Sequence, residues 1–542
     1  RGPEYSRPAA ATPPRARWHA EGMDPIVATL VILAVAVVAF ISNRVPLAVV
    51  AVAVALALFF TGVLTLPQAL AGFGDPTVLF IAALFVVSEA LDSSGVTAWA
   101  GQKVIGRAGT RRGILVGVIS LLVAVLTAFI SINGAVAALL PLVVVVAARA
   151  GIPSSRLLMP LAFAASAGSL LLLTGTPVNI IVSDFAAQNG GRAFGYAEFA
   201  LVGIPLIIGA VAILLLLGDR LLPVREGALM PVDLARHARL LRQQYDLTLD
   251  TGTILGPQSG VTEIVVGPRS PLIGERIAPG MKTPGGDLVI LAVRRGDEPA
   301  RGQELVLQIG DVLLLQGEWD DLVRHAALPG MLAVDAPDRL RRSVPLGRGA
   351  RRSLVILGLM IMLLATGLVP PAAAALLAAG ALVVTRAVNV NQAYQAVSWT
   401  TVILIAGMIP LSTAVFETGT ADLVAGWLLG LLGDSGPRVA LFALCVLTLV
   451  LGQLISNAAT VLIVAPIAAA VSTSLDLSIQ PFMMALTVAG AAAFLTPIAT
   501  PANLMVMEPA GYRFGDYWRL GVPLAIFFLL MAVFYVPLIW PF

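Results

Sequence analysis

Thr174-Gly175-Thr176-Pro177-Val178-Asn179 and Ile498-Ala499-Thr500-Pro501-Ala502-Asn503 say nearly the same thing 324 residues apart. Each stretch lies inside a long apolar segment. Proline there removes a backbone N–H and clashes with the preceding turn, and Gly175 lets the chain open. A lone asparagine amide is costly among apolar neighbours unless it is partnered. One such break is compatible with a simple proline kink. Two matched breaks, each ending in Asn, favour a transporter's binding site.

The surroundings are membrane-like. The chain is 58% hydrophobic and 12% charged, with mean hydropathy +0.93. A soluble protein carries about 25% charged residues. Apolar runs recur from Ile26 to Trp540, which predicts an all-α polytopic membrane protein. Cys445 is the only cysteine, so a disulfide within the chain is excluded. His19, His237 and His325 are scattered and show no metal-ligand spacing. The net charge of +3 gives no reason to expect a nucleic-acid partner. With no nucleophile–base pair, an enzyme is not expected.

Charge divides the chain. Residues 223–352 hold 33 of its 65 Asp, Glu, Lys and Arg residues. The expected domains are membrane repeat 1 (23–222), an insert (223–350) and membrane repeat 2 (351–542). Residues 1–22, rich in Arg, Pro and Ala, read as an over-long start or disordered tail. Residues 227–250 read as a helical lead-in to the insert.

The two halves match in order. Pro46 falls on Pro370, Thr77 on Thr401, Ser88 on Ser412 and Gly95 on Gly419. Ser131 and Pro141 fall on Ser456 and Pro466 with one residue of slip. Each half reads as five spans plus one re-entrant hairpin. The expected spans are 26–42, 45–63, 76–92, 156–183 and 197–222, then 353–369, 371–388, 400–416, 480–507 and 517–541. The expected hairpin arms are 113–130 with 135–148, and 437–455 with 460–473. Their tips, Ser131-Ile132-Asn133-Gly134 and Ser456-Asn457-Ala458-Ala459, carry no charge. Polar backbone at membrane depth is tolerated where protein buries it or water lines it.

An odd span count makes the repeats inverted. Positive charge tests this. With the insert in the cytoplasm, the inside segments hold Arg44, Lys103, Arg107, Arg111, Arg112, Arg149, Arg156, Arg220, Arg351, Arg352, Arg386, Arg513 and Arg519. The outside segments hold Arg192 and Arg438. This bias favours ten spans and two hairpins, with both termini outside; the expected location is a cell inner membrane.

The breaks and tips supply hydroxyls, amides and helix ends without fixed charge. Half-helix N-termini suit an anion, and freed carbonyls suit a small cation. Glu89, Asp92 and Glu417 fall at the ends of the third spans, where interfacial capping is expected rather than proton relay.

At these residues the chain resembles the divalent anion/sodium symporter family, within the wider ion-transporter superfamily. That family carries Ser-Asn-Thr at each hairpin tip and a Pro-containing break in the following helix. The resemblance covers 24–222 and 353–541. It implies an elevator mechanism, a homodimer, and Na⁺ as coupling ion with no other cofactor. It implies anion contacts from Ser131, Asn133, Gly134, Thr176, Pro177, Asn179, Ser456, Asn457, Thr500, Pro501 and Asn503. It implies Na⁺ contacts from Ser131, Asn133, Thr174, Gly175, Ser456, Asn457, Thr460, Thr496 and Ala499. Two departures stand out: Ile132 replaces a tip Asn, and Ala458 replaces a tip Thr. They favour a small oxyanion such as sulfate over a dicarboxylate. The alternatives on this scaffold are a cation/proton antiporter or an arsenite-type exporter.

The insert, from Thr262 to Ala326, resembles the regulatory C-terminal subdomain of TrkA-type proteins, with a core over about 250–330. That resemblance implies a small α+β module that binds a regulatory small molecule or forms a dimer contact.

Overall fold

The structure is a computed structural model. It describes residues 24–225, 259–334 and 349–542, apart from 43, 106–108, 110, 279–280, 284–286, 297, 300–304, 327 and 433–435. The expected tail 1–22 and helical lead-in 227–250 lie outside the described residues.

The first half consists of α1 (Pro25–Ser42), α2 (Leu47–Phe60), α3 (Leu66–Leu70), α4 (Pro76–Ser93), α5 (Val96–Ile105), α6 (Arg112–Thr127), α7 (Ile132–Ala150), α8 (Ser155–Gly168), α9 (Pro177–Gln188) and α10 (Ala200–Leu221). The insert holds strands β1 (Ser259–Val266), β2 (Arg276–Ile277), β3 (Val289–Arg295), β4 (Glu298–Pro299), β5 (Leu305–Val306), β6 (Val312–Glu318) and β7 (Met331–Ala333), and helix α11 (Trp319–Ala326). The second half runs α12 (Ala350–Thr366), α13 (Pro371–Val384), α14 (Val390–Ala396), α15 (Trp399–Glu417), α16 (Thr420–Leu432), α17 (Pro437–Gly452), α18 (Asn457–Ser474), α19 (Ile479–Ala491), α20 (Pro501–Ala510), α21 (Tyr517–Leu530) and α22 (Val536–Ile539).

The halves pack reciprocally. α2 crosses α15 while its counterpart α13 crosses α4. α9 packs on α18 and α19 while α20 packs on α7 and α8. Close approach explains the α2–α15 seam. A Cβ on Gly407 would lie 2.7 Å from the Ala51 carbonyl carbon. The same device recurs at the breaks. A Cβ on Gly203 of α10 would meet the Leu170 carbonyl oxygen at 2.3 Å, and one on Gly521 of α21 would meet that of Phe494 at 2.3 Å.

Burial sorts the helices by role. Every residue of α8 but Arg156 and every residue of α19 is buried, and α18 is buried from Ala458 to Ser472. The outer helices expose apolar side chains instead: Val38 of α1 is 66% exposed, Leu216 of α10 75% and Leu538 of α22 71%. Such a surface suits a lipid exterior rather than water.

Among the described residues, six segments are long and apolar enough to cross a membrane: Pro25–Ser42, Leu66–Ser93, Ala200–Leu221, Trp399–Glu417, Asn457–Ser474 and Phe514–Ile539. Five of these fall on expected spans. The sixth, Asn457–Ser474, is a hairpin arm in the sequence reading, yet its 18 residues reach spanning length. The expected spans at 45–63 and 371–388 are 14-residue helices, α2 and α13. At about 1.5 Å per residue such a helix is shorter than the roughly 30 Å hydrocarbon core.

The expected spans 156–183 and 480–507 are interrupted, as their Thr-Pro motifs predict. Each is two half-helices, α8 and α9 or α19 and α20, joined by non-helical chain. Pro177 and Pro501 do not kink these helices. They open α9 and α20 as first helical residues, where proline's missing N–H costs nothing and its fixed φ is favourable. The interruption lies upstream of them.

In the insert, β4-β3-β6-β1-β7 form one antiparallel sheet, and β2 pairs with β5. Its separate apolar cluster includes Ile264, Leu288, Ile290, Leu313, Leu315, Trp319 and Leu322. Arg295 clamps the buried Asp311 through Nε and Nη2, both at 2.7 Å.

Candidate functional site

Each break is held open by its asparagine. Asn179 Nδ2 donates to the carbonyls of Ser169 (2.9 Å) and Leu172 (2.8 Å). Asn503 Nδ2 donates to those of Ala493 (2.9 Å) and Thr496 (3.2 Å). Both side chains are fully buried. The freed carbonyls at the end of α8 and α19 thus find donors they could not find within the helix. The amide donors of both residues are spent on backbone, so these asparagines shape the site from behind. Their Oδ1 atoms are buried without a hydrogen-bond partner.

The half-helices are capped alike. Thr176 Oγ1 accepts from Val178 N (3.4 Å) and Thr500 Oγ1 from Asn503 N (3.2 Å). Thr176 and Thr500 are extended, with φ −152° and −141°. Gly175 packs where a Cβ would meet the Ser169 carbonyl oxygen at 2.2 Å. Its counterpart Ala499 is buried and has its methyl accommodated.

The tips are N-caps as well. Ser131 Oγ accepts from Gly134 N (3.2 Å) and Ser456 Oγ from Ala459 N (3.4 Å). Serine at this position satisfies a donor that a helix start leaves open. Thr460, fully buried, turns its hydroxyl back to the Ser456 carbonyl (3.1 Å). Thr174 Oγ1 ties the first break to the Ala128 carbonyl (3.0 Å), and Thr496 Oγ1 ties the second to the Gln453 carbonyl (3.3 Å).

Two small cavities meet these elements. The first is lined by Ile132, Ser166, Ser169, Thr176, Val178, Asn457, Thr487 and Ala491. It crosses between the halves, and the equivalent tip residues Ile132 and Asn457 both reach it. The N-terminal turns of α7, α9 and α18 therefore face one space. Asn457 Oδ1 is buried there without a partner. The second cavity belongs to the first half. Its polar lining is Ser88, Ser131 and Thr174, closed by Gly175, Pro177 and apolar side chains of α4. Of the residues expected at the site, Asn133, Gly134, Asn179, Ser456, Thr460, Thr496, Ala499, Thr500, Pro501 and Asn503 line neither cavity.

Several contributors escape the sequence reading. Ser88 of α4 accepts from Ser131 N at 3.1 Å. Gln453 bridges the second hairpin and break, donating to the Ala492 carbonyl (3.1 Å) and accepting from Leu495 N (2.9 Å). Its signal was a lone amide in an apolar run, three residues before the tip. Ser166, Ser169 and Thr487 look like ordinary small residues in buried helices. Of the acidic residues expected to cap, Glu417 accepts from Gln68 Nε2 at 3.1 Å. Asp92 is buried and accepts from Thr97 Oγ1 at 3.0 Å.

Two broken helices, two capped tips and a shared cavity inside a lipid-compatible exterior define a multi-pass membrane transporter. The chain belongs to the CitMHS citrate transporter family, whose profile matches residues 37–489. It is similar to the uncharacterized transporter YfbS of Escherichia coli, with 30% identity over 95% of this chain and 99% of that one. It is similar to a probable sodium/sulfate cotransporter 3 of Chlamydomonas reinhardtii, with 29% identity over 51% of this chain and 31% of that one. The YdaH transporter of Alcanivorax borkumensis matches at TM-score 0.49 and 14% identity, over 95% and 98% of the two chains.

Proposed function

We propose that the protein is a Na⁺-coupled symporter of a small divalent oxyanion, with sulfate preferred to dicarboxylates. The observation that carries this reading is the cavity shared by Ile132, Thr176 and Asn457. Three helix N-termini face it, and each brings a partial positive charge of about half a unit. Such a site holds an oxyanion without a lysine or arginine. Ile132 narrows its first side and offers no hydrogen bond, which disfavours a longer dicarboxylate that needs polar contacts at both ends. The sodium/sulfate cotransporter relative supports the same substrate class. The family's description as citrate transporters makes citrate the competitor to test.

In this reading the halves are inverted repeats of five spans and a hairpin, in a cell inner membrane, with the insert cytoplasmic. Reciprocal packing of the halves supports the repeat, and the arginine distribution supports the orientation. The core helices α8, α9, α18, α19 and α20 move as a unit against an outer scaffold, in an elevator movement within a homodimer. The insert binds a regulatory small molecule or joins protomers.

Uptake into proteoliposomes tests this. Radiolabelled sulfate should accumulate with an inward Na⁺ gradient and not with a choline gradient. Na⁺-independent uptake across sulfate, thiosulfate, phosphate, succinate and citrate overturns the coupling. A proton-coupled antiporter or arsenite exporter is the competing reading. It gains support if Glu89→Gln abolishes all exchange.

A further inference from the structure

Two arginines share one carboxylate oxygen where α10 runs out toward the insert. Arg112 opens α6, Arg156 lies in the first turn of α8, and Asp219 lies in the last turn of α10. Both arginines direct Nη1 at Asp219 Oδ1, Arg156 from 3.3 Å. One carboxylate answers only one of these two cations. Arg112 Nε, Arg112 Nη2 and Arg156 Nε are buried without a hydrogen-bond partner. An unmet donor on a charged group costs more than a neutral one. Arg111 and Arg220 are exposed beside them in the chain, so the cluster sets four arginines against one aspartate.

The surface next to this cluster is apolar and open. Ile114 of α6 is 48% exposed and Leu216 of α10 is 75% exposed. A Cβ on Gly117 would meet nothing within 4 Å, and one on Gly113 would find Leu215 Cδ2 nearest, at 4.0 Å. These glycines are four residues apart and share one face of α6. A shallow trough therefore runs along α6 away from Arg112. The second half has no such cluster: Arg112 maps onto Pro437 and Arg156 onto Gln480.

We propose that Arg112 and Arg156 bind the phosphate of an anionic phospholipid, with an acyl chain lying along the Gly113–Gly117 trough of α6. Asp219 marks the phosphate position, because its oxygen bridges both guanidiniums as a phosphate oxygen would. Its side chain is 57% exposed and can swing aside when the headgroup arrives. The planar guanidinium fork matches phosphate geometry, and basic clusters between helices at the membrane boundary suit anionic headgroups. Inorganic phosphate would meet the same arginines but gain nothing from the trough, so the lipid is the favoured occupant. The site lies apart from both cavities and holds whichever solute the protein carries.

The purified full-length protein in detergent is unfolded thermally while phosphatidylglycerol, phosphatidylcholine or inorganic phosphate is titrated in. Phosphatidylglycerol should raise the unfolding temperature, and the other two should not. Arg112→Gln should raise the phosphatidylglycerol concentration at half effect about fivefold or more. Asp219→Asn removes the competing carboxylate and should lower that concentration severalfold. An ion pair with only a structural role would lose stability in both variants and leave the lipid titration unmoved. Gly117→Leu fills the trough without touching charge and should weaken the lipid effect severalfold. It carries the test if Arg112→Gln does not fold. Equal stabilisation by phosphatidylcholine, or variants that all titrate like wild type, overturns the proposal. Stabilisation by inorganic phosphate that matches phosphatidylglycerol overturns the lipid as occupant.

Discussion

Asn179 and Asn503 make the same pair of hydrogen bonds, each to the carbonyls ten and seven residues before itself. Neither bond pair exists within a helix. Each spans a break and ties the far half-helix to the end of the near one. The two breaks thus match in bonding as well as in letters, and the bonds explain why the motif ends in Asn.

Asn179→Asp and Asn503→Asp should each be severe, because a carboxylate would face two carbonyl oxygens. Leaving buried backbone acceptors unmet costs about 1–3 kcal/mol. Thermal unfolding should show a loss of that order for either variant, and uptake should fall at least tenfold.

Gly175→Ala and Ala499→Gly should behave oppositely although the positions correspond. The first puts a methyl 2.2 Å from the Ser169 carbonyl oxygen. It should abolish uptake while leaving expression measurable. The second removes a methyl that already fits, and should change uptake by less than about threefold, the effect of under ~1 kcal/mol.

Ile132→Asn makes the first tip resemble the second. It adds an amide to the shared cavity. Competition by succinate or citrate against labelled sulfate should strengthen severalfold, with sulfate affinity nearly unchanged. An unaltered competition profile would remove Ile132 from specificity.

Arg225, the last described residue before β1, is fastened to both broken spans. Its backbone N–H donates to Ser155 Oγ at 3.0 Å, and its guanidinium reaches Asp516 and the Gly511 carbonyl. Tyr512 adds a hydroxyl bond to the Ser155 carbonyl and accepts from Met159 N. Asp516→Asn should cost up to about 3 kcal/mol, as expected when one partner of a part-buried pair is removed. Hydrogen exchange should rise at the start of α8 and the end of α20 together.

In the insert, burial would raise the Asp311 carboxyl, but hydrogen bonds from Arg295 and Gln308 N hold it below its ordinary value. A lowered folded-state pKa contributes stability above the unfolded value near 4, lost as pH falls through the folded value. Exchange protection of β3 and β6 should therefore hold at neutral pH and collapse below about pH 4. Asp311→Asn should flatten that dependence.

Much of this fold can be read from the chain. Apolar run length located the long membrane helices but not the short α3, α5, α14 and α16, and the hairpin arms 113–130 and 135–148 became α6 and α7 within a few residues. The prolines were legible as markers but not in their role. They start half-helices, and the openings lie upstream in stretches such as Ser169–Leu172 that carry no unusual letters. Partners across the break were invisible because they are set by where the chain returns. Ser131 with Ser88 and Gln453 with Ala492 are such cases. Spanning length also misled: α2 and α13 are too short by count, while the hairpin arm α18 is long enough.

The account stands most directly on one uptake experiment. Proteoliposomes holding the full chain are given labelled sulfate under an inward Na⁺ gradient, a choline gradient of equal strength, or an inward proton gradient. Accumulation should appear with Na⁺ alone and be lost in Asn457→Ala, which strips the second tip of its amide. Equal accumulation with choline, or accumulation driven only by protons, would contradict it.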